Sequence, residues 1–272
     1  MKDTNKSKKI IVIGTGALGK AIANKLKKTG FNLIGIASRT AKAADRRSYP
    51  LGKMPDADIY ILAVPDKAIS GTVKKIDKKI SRKTILIHLS GTFSSDILKT
   101  KNNNLCASCH PVGSFKNLEK SIKLLEKAHW TLEGDKKAVD FMASFIKKLS
   151  GKYYIIEKKD KPLYHAACTL ASSGLLSLIY ASRDMLKEVK FASKPALNAC
   201  PSEILWPLVL SSLENLKQSG FPEGLTGPFV RNDTGTIKLH KTALKTHNKE
   251  ILNIYKTLFK FTKNRSKKHE RN

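Results

Sequence analysis

Up to about residue 156 the chain alternates short continuous apolar runs with helically spaced ones, and beyond Lys161 only the helical spacing remains. The first run, Lys9–Ile13, passes straight into Gly14-x-Gly16-x-x-Gly19 and then a helical pattern. Further runs at 31–37, 57–66 and 84–89 read as buried strands, that over 57–66 stopped by Pro65, with an amphipathic helix over 67–80 between the last two. A strand over 105–110, a helix from about Asn117, a strand near Trp130, a helix over 136–149 and a strand over 153–156 complete the first half. This alternation predicts an α/β fold, a doubly wound parallel sheet of Rossmann type over residues 1–157, with ligands at the carboxyl ends of its strands.

The second half, 158–272, predicts an all-α domain with helices over about 161–190, 195–219 and 234–262, broken at Pro195 and at Phe221-Pro222. The first of these helices is rich in Ala, Ser and Gly and apolar on most sides, so other helices must cover it. Sharing it between two subunits is the simplest solution for so small a domain, and predicts a homodimer. The uncharged run 164–182 approaches membrane-spanning length, but His165, Thr169 and its serines favour a buried helix over a membrane span.

The glycine triplet has the strand, the helix and the register of a dinucleotide fingerprint. Gly14 permits the tight turn, Gly16 lets the backbone approach a pyrophosphate, and Gly19 lets the helix pack on its strand. Thr15, Ala17 and Leu18 complete the cofactor-binding turn, and Ala63-Val64-Pro65 and Ser90-Gly91 end later strands at the same edge. The second strand ends in Ser38-Arg39-Thr40, with no carboxylate to bind a ribose 2′-hydroxyl. A cation among hydroxyls suits a 2′-phosphate instead, so the cofactor is expected to be NADP(H). The competing reading of Arg39 is a solvated loop residue.

Net charge is +29, from 51 Lys and Arg against 22 Asp and Glu. Only eight of the basic residues are arginines, and the lysines are spread along the whole chain. That argues against a specific nucleic-acid footprint and for steering of a small anionic substrate. The polar N-terminus lacks a signal-peptide pattern, so a cytoplasmic protein is expected. In that compartment the four cysteines read as thiols. Cys106-x-x-Cys109-His110 matches a haem-attachment spacing, but there is no export signal to go with it. It would also give a metal only three ligands, so no metal site is expected.

Several segments together carry a family likeness: the glycine triplet, Ala63-Val64-Pro65-Asp66, His88-Leu-Ser-Gly91, His110-Pro111 with Phe115, Lys161-x-x-Tyr164-His165, and Leu225-Thr226-Gly-Pro228 with Arg231, Asp233, Thr236 and His240. The chain resembles, over nearly its whole length, Rossmann-like NADP-dependent reductases whose C-terminal half is known as domain of unknown function 2520. These are relatives of pyrroline-5-carboxylate reductase and of the 6-phosphogluconate and 3-hydroxyisobutyrate dehydrogenases. The resemblance implies a substrate held below the nicotinamide, with Arg231, Ser173 and Thr226 as substrate-binding candidates. It also implies ketopantoate reduction in pantothenate synthesis as the specific activity. The chain departs from the wider group in having Lys161-x-x-x-His165 for Lys-x-x-x-Asn, Ser172-Ser173 for Ser-Asn, and Arg231-Asn232-Asp233 for Arg-Gly-Asp.

Reducing a carbonyl requires a proton donor at the oxygen and a cation to orient a carboxylate. Lys161 and His165 lie one helical turn apart and form the leading pair, each with an ordinary structural role as its alternative. His110, at a strand end, either bounds the substrate pocket or only ties down its loop, and which of the three donates the proton stays open. Arg231 is the candidate carboxylate grip, Asp233 reads as a helix cap, and His240 as packing. The functions in competition are a 2-oxo acid reductase, a cyclic imine reductase, and an NADP-binding regulator without catalysis.

Overall fold

A computed structural model describes residues 7–39, 48–191 and 201–269. The chain divides into two compact units, Met1–Thr169 and Leu170–Asn272. The first unit is a Rossmann-like α/β domain built on one eight-stranded sheet. Its strands are β1 (Ile10–Ile13), β2 (Leu33–Ser38), β3 (Ser48–Pro50), β4 (Ile59–Leu62), β5 (Ile85–His88), β6 (Leu105–Pro111), β7 (His129–Gly134) and β8 (Lys152–Ile155). They lie in the order β3-β2-β1-β4-β5-β6-β7-β8.

Both faces of this sheet are covered, which is why β1 and β4 are apolar at every position. Ile10, Val12, Ile59, Ile61, Ile85 and Ile87 pack on one face with helices α1 (Ala17–Lys28), α3 (Leu118–Leu125) and α4 (Lys136–Lys148). Ile11, Ile13, Tyr60, Leu62 and Leu86 pack on the other with α2 (Ile69–Ile76). Cys109 falls in the first core and Cys106 in the second, on opposite faces of β6. The two thiols of the haem-like spacing therefore point apart, as residues three apart on a strand must.

The sheet departs from the expected all-parallel pattern at one seam. β1 through β6 pair in parallel fashion, but β7 runs antiparallel to β6, with Pro111 opposite Trp130, and β8 runs parallel to β7. The connection over 112–128 returns to the sheet at the end where β6 finishes, so the next strand has to run backwards. The short strand β3 was also absent from the sequence reading. Only three residues long, it lacks a hydrophobic period of its own and exists by pairing with β2.

The first unit ends with α5 (Lys161–Thr169). The second opens with a five-residue π turn (Leu170–Gly174), followed by α6 (Leu175–Glu188), α7 (Leu205–Ser219), α8 (Thr234–His247) and α9 (Lys249–His269). The expected single helix over 234–262 is two. The α8 C-cap Asn248 has an extended backbone, and its side chain accepts hydrogen bonds from the Glu250 and Ile251 amides, so it starts the next helix as well. Asp233 caps α8 through Thr236, as the sequence suggested, while His240, read as packing, is exposed and hydrogen-bonds Tyr255 across the α8–α9 pair. Among the described residues, α6, the main part of the first expected helix, has no buried residue, and neither has α7. The break at Pro195 lies outside the described residues.

Candidate active site

All of the candidate site described here belongs to the first unit, at the edge where the parallel strands end. The turn after β1 is built so that only glycine fits at two of its positions. At Gly14, where φ is +123°, an added Cβ would lie 2.1 Å from the Ala63 carbonyl oxygen. At Gly19 it would lie 2.2 Å from the Gly14 carbonyl oxygen, so this glycine serves helix packing. A Cβ on Gly16 would meet nothing within 4 Å, which leaves its backbone open to a ligand at the N-terminus of α1.

Of the predicted cofactor residues, Gly14, Thr15, Gly16, Ser38, Arg39, Ala63, Val64 and Pro65 line one cavity of ≈ 310 Å³, with Leu51 and Thr72. The Ser38 hydroxyl oxygen in its wall is buried and has no hydrogen-bond partner among the described residues. An open glycine turn and an orphaned hydroxyl in a cavity at the strand ends fit a dinucleotide. Ala17, Leu18, Gly19, Ser90 and Gly91 do not line this cavity. Thr40 lies outside the described residues.

Ser90, expected at the cofactor, is instead the node of a buried polar network. Its amide donates to His88 Nδ1 at 3.1 Å and its hydroxyl donates to Asp66 at 2.9 Å. The same hydroxyl oxygen accepts from the Thr92 and Phe93 amides. Its carbonyl accepts from Ser108 Oγ at 3.1 Å and from Lys161 Nζ at 3.2 Å. Lys161 is only 1% exposed, and its ammonium also donates to Ser108 Oγ at 2.7 Å. Burial lowers its pKa, against the pull of Glu133, Cys109 and Asp66. Glu133, itself buried, accepts from the Ser95 amide and hydroxyl and closes the far end of the loop. Lys161 thus ties the loop after β5 to strand β6.

That loop carries Gly91 and Thr92 against two histidines. His110, at the end of β6, is bonded through Nδ1 to the Tyr164 hydroxyl at 2.8 Å. His165 is bonded through Nδ1 to the Thr92 hydroxyl at 2.7 Å. The rings meet edge to face with centroids 5.6 Å apart. Burial, with His165 and Lys161 adding to it, pushes the His110 imidazole down to about 4, so it is neutral at pH 7. Burial pushes the Tyr164 phenol up to about 12. Tyr164 and Thr92 are functional candidates that sequence reasoning missed. The pattern Tyr164-His165 hinted at the first, but no spacing links Tyr164 to His110 or Thr92 to His165.

In the second unit, Arg231, Ser173 and Thr226 are exposed. The Arg231 amide donates to the Gly227 carbonyl, and the Ser173 carbonyl accepts from Ser177. Among the described residues there is no cluster of three or more His, Cys, Asp or Glu suited to a metal ion.

Comparison with known proteins agrees with this architecture. Residues 3–111 match the Rossmann-like domain family, and residues 128–262 match the family described as domain of unknown function DUF2520. Prephenate dehydrogenase from Lactococcus lactis is 27% identical over 204 residues, 66% of this chain and 56% of that enzyme, so the chain spans little more than half of this curated relative. Protein TM1727 from Thermotoga maritima superposes with a TM-score of 0.77 at 23% identity, over 97% of this chain and 100% of that one. The putative NADP oxidoreductase BF3122 from Bacteroides fragilis gives 0.76 at 17% identity, over 96% of this chain and 100% of that one. The two superpositions establish a shared fold.

Proposed function

We propose that this protein is an NADP(H)-dependent oxidoreductase that reduces a small 2-oxo acid, with ketopantoate to pantoate as the specific reaction. The observation that carries the reading is the sharing of one sheet edge by the glycine-turn cavity, with Ser38 and Arg39 in its wall, and the His110–His165 pair. Similarity to a prephenate dehydrogenase and to an NADP oxidoreductase supports the reaction class. When bound, the nicotinamide supplies a hydride to the carbonyl carbon. The chain's own task is then to hold the carbonyl oxygen and meet the charge that develops on it. His110 and His165 are the residues for that task, and Lys161 supports them by holding the loop after β5.

The test is NADPH oxidation by the purified protein with ketopantoate or pyrroline-5-carboxylate. Consumption with ketopantoate is expected. Tight NADPH binding with oxidation by neither compound would favour a non-catalytic regulator. Arg39→Asp should weaken NADPH binding at least tenfold while leaving NADH binding within a few-fold, since one charge-assisted contact to a phosphate is worth about 1.5–3 kcal/mol. Unchanged NADPH affinity in that variant would return Arg39 to the solvated loop.

The partner proposed for the helical unit is a second copy. Leu176 and Tyr180 on α6 and Trp206, Leu208, Leu210 and Leu213 on α7 are all 46–62% exposed. Leaving that many large apolar side chains in water is costly, and an obligate homodimer removes them from it. Light scattering behind gel filtration should give twice the 30.1 kDa chain mass. Trp206→Glu should shift the protein toward monomer, and a monomeric wild type would rule the proposal out.

A further inference from the structure

Helices α8 and α9 carry a stronger imbalance of charge than the rest of the chain. Over residues 234–269 there are ten Lys and Arg and one acidic residue, Glu250. Five of these lysines line one groove between the two helices, with a cavity of ≈ 360 Å³. Lys238, Lys241 and Lys245 come from α8, and Lys256 and Lys263 from α9. Spacings of three, four and seven residues put each set along one side of its helix. Between the two sets the floor is apolar, made by Ile237, Leu252 and Phe259, and no Asp or Glu lines the groove.

Elsewhere the helices neutralise such lysines. Lys123 pairs with Glu119 on α3 and Lys136 with Asp140 on α4, each one turn away. None of the five groove lysines has an ion pair among the described residues. Lys241 and Lys245, four apart, stand where like charges disfavour a helix. The Lys241 and Lys263 ammonium groups are nonetheless gathered over the floor, 5.2 Å and 5.8 Å from the centre of the Phe259 ring. Cations collected over an apolar floor with no counter-charge suit an anion that brings an apolar body of its own.

We propose that the α8–α9 groove binds a small organic phosphate, its charge held by Lys241 and Lys263 and its apolar body laid against Ile237, Leu252 and Phe259. Lysine takes a phosphate as a point charge, and the cavity has the size of a small-molecule pocket. Larger anions are served less well. A membrane surface is met by apolar side chains that project outward, whereas Ile237 and Leu252 are only 2% and 7% exposed. A nucleic-acid strand stacks its bases on aromatic faces, and the ring in this groove is already covered by lysines. A second copy of a chain with net charge +29 brings mostly the same charge. The groove lies within the second unit, and it stands whether or not the first unit reduces a 2-oxo acid.

Fluorescence titration of the full chain with 1-naphthyl phosphate tests the site. In salt of about 0.15 M, charges more than about 8 Å away are largely screened, so the diffuse lysines contribute little. One site per chain is expected, with inorganic phosphate and 1-naphthol each at least about tenfold weaker, because each offers only half of the ligand. Lys241→Gln combined with Lys263→Gln should weaken the naphthyl ester at least about tenfold, the worth of one charge-assisted contact. Both side chains are partly exposed, so the double variant should keep a native circular dichroism spectrum. Lys120→Gln, exposed on α3, and Arg39→Asp, in the glycine-turn cavity, should leave the affinity unchanged. Inorganic phosphate or 1-naphthol binding as tightly as the ester, or an equal loss in the Lys120 variant, would overturn the groove as a site and leave only attraction to net charge or to apolar surface. Loss in Arg39→Asp would overturn it by placing the ester in the glycine-turn cavity. Binding of phosphatidylglycerol vesicles or of poly(U) through Lys241 and Lys263, without binding of the naphthyl ester, would overturn the small ligand in favour of a membrane or an RNA.

Discussion

Gly91→Ala should abolish turnover while leaving the protein folded. The backbone at Gly91 is not among the positive-φ glycines, so alanine is sterically allowed by the main chain. The obstacle is the side chain of His165, whose Cδ2 would stand 2.3 Å from the new methyl group. An imidazole can swing away from such a clash, but only by giving up the bond to Thr92 and the edge-to-face contact with His110. The energy of the clash is thus relieved at the cost of the site's geometry. Losing an oriented donor at a developing oxyanion costs about 10²–10³ in rate, and the stability change should stay within about 1–3 kcal/mol, as for other cases of overpacking. NADPH oxidation with ketopantoate measures the first and thermal unfolding the second. NADPH binding should be unchanged, because Gly91 does not line the glycine-turn cavity. A folded Gly91→Ala variant with wild-type turnover would place the reacting centre elsewhere.

The sequence was most informative where local patterning and tertiary structure agree. The run Ile10–Ile13 with its glycine turn shows both the first strand and the ligand edge, because a buried strand must be apolar and a tight turn must be glycine. The direction of β7 was not legible. Its residues alternate no differently in an antiparallel ladder, and only the path of the chain over 112–128 decides it. The network around Ser90 was invisible for a related reason. Asp66, His88, Ser108, Glu133 and Lys161 come from five separate elements, and although Lys161 stands out as a candidate for chemistry, no spacing links these residues to one another until the fold brings them together. His110 and His165 were found as individual candidates, by position at a strand end and at a helix start. Their pairing, and the hydroxyls that orient them, are properties of the assembled sheet edge. The helical half was legible as helices but not in its partnership, since apolar positions covered within one chain and positions covered by another have the same sequence pattern.

Acid should unfold this protein earlier than its carboxylates alone would dictate, because His88 is held neutral in the core. His88 is 0% exposed, and burial pushes its imidazole down to about 4, with the Ser94 carbonyl opposing and Lys161 adding to the shift. The hydrogen bonds explain why a second proton is unwelcome. Nδ1 already accepts from the Ser90 amide and Nε2 faces the Ser94 carbonyl, so protonating Nδ1 would set donor against donor. The folded pKa lies below the unfolded value of 6.5, so between about pH 6.5 and 4 the unfolded chain binds more protons and stability rises with pH. The contribution is complete above pH 6.5 and lost below about 4, and a shift of that size corresponds to about 3 kcal/mol. His110, with a similar depression, acts in the same window and the same direction. Asp96 and Asp233 also have lowered values, and as carboxylates they act at more acidic pH. Urea unfolding at pH 7, 6, 5 and 4.5 should therefore show stability falling by more than 1.4 kcal/mol per pH unit below 6.5, the limit for a single proton. His88→Gln keeps an acceptor for Ser90 and a donor for Ser94 but cannot titrate, so it should flatten that slope by about one proton. An unchanged slope in the variant would show that His88 is not the group that acid breaks. Because Ser90 anchors Gly91 and Thr92, the wild type should also lose the His165–Thr92 hydrogen bond before global unfolding, seen as a change in the His165 15N shifts while far-ultraviolet circular dichroism is still native.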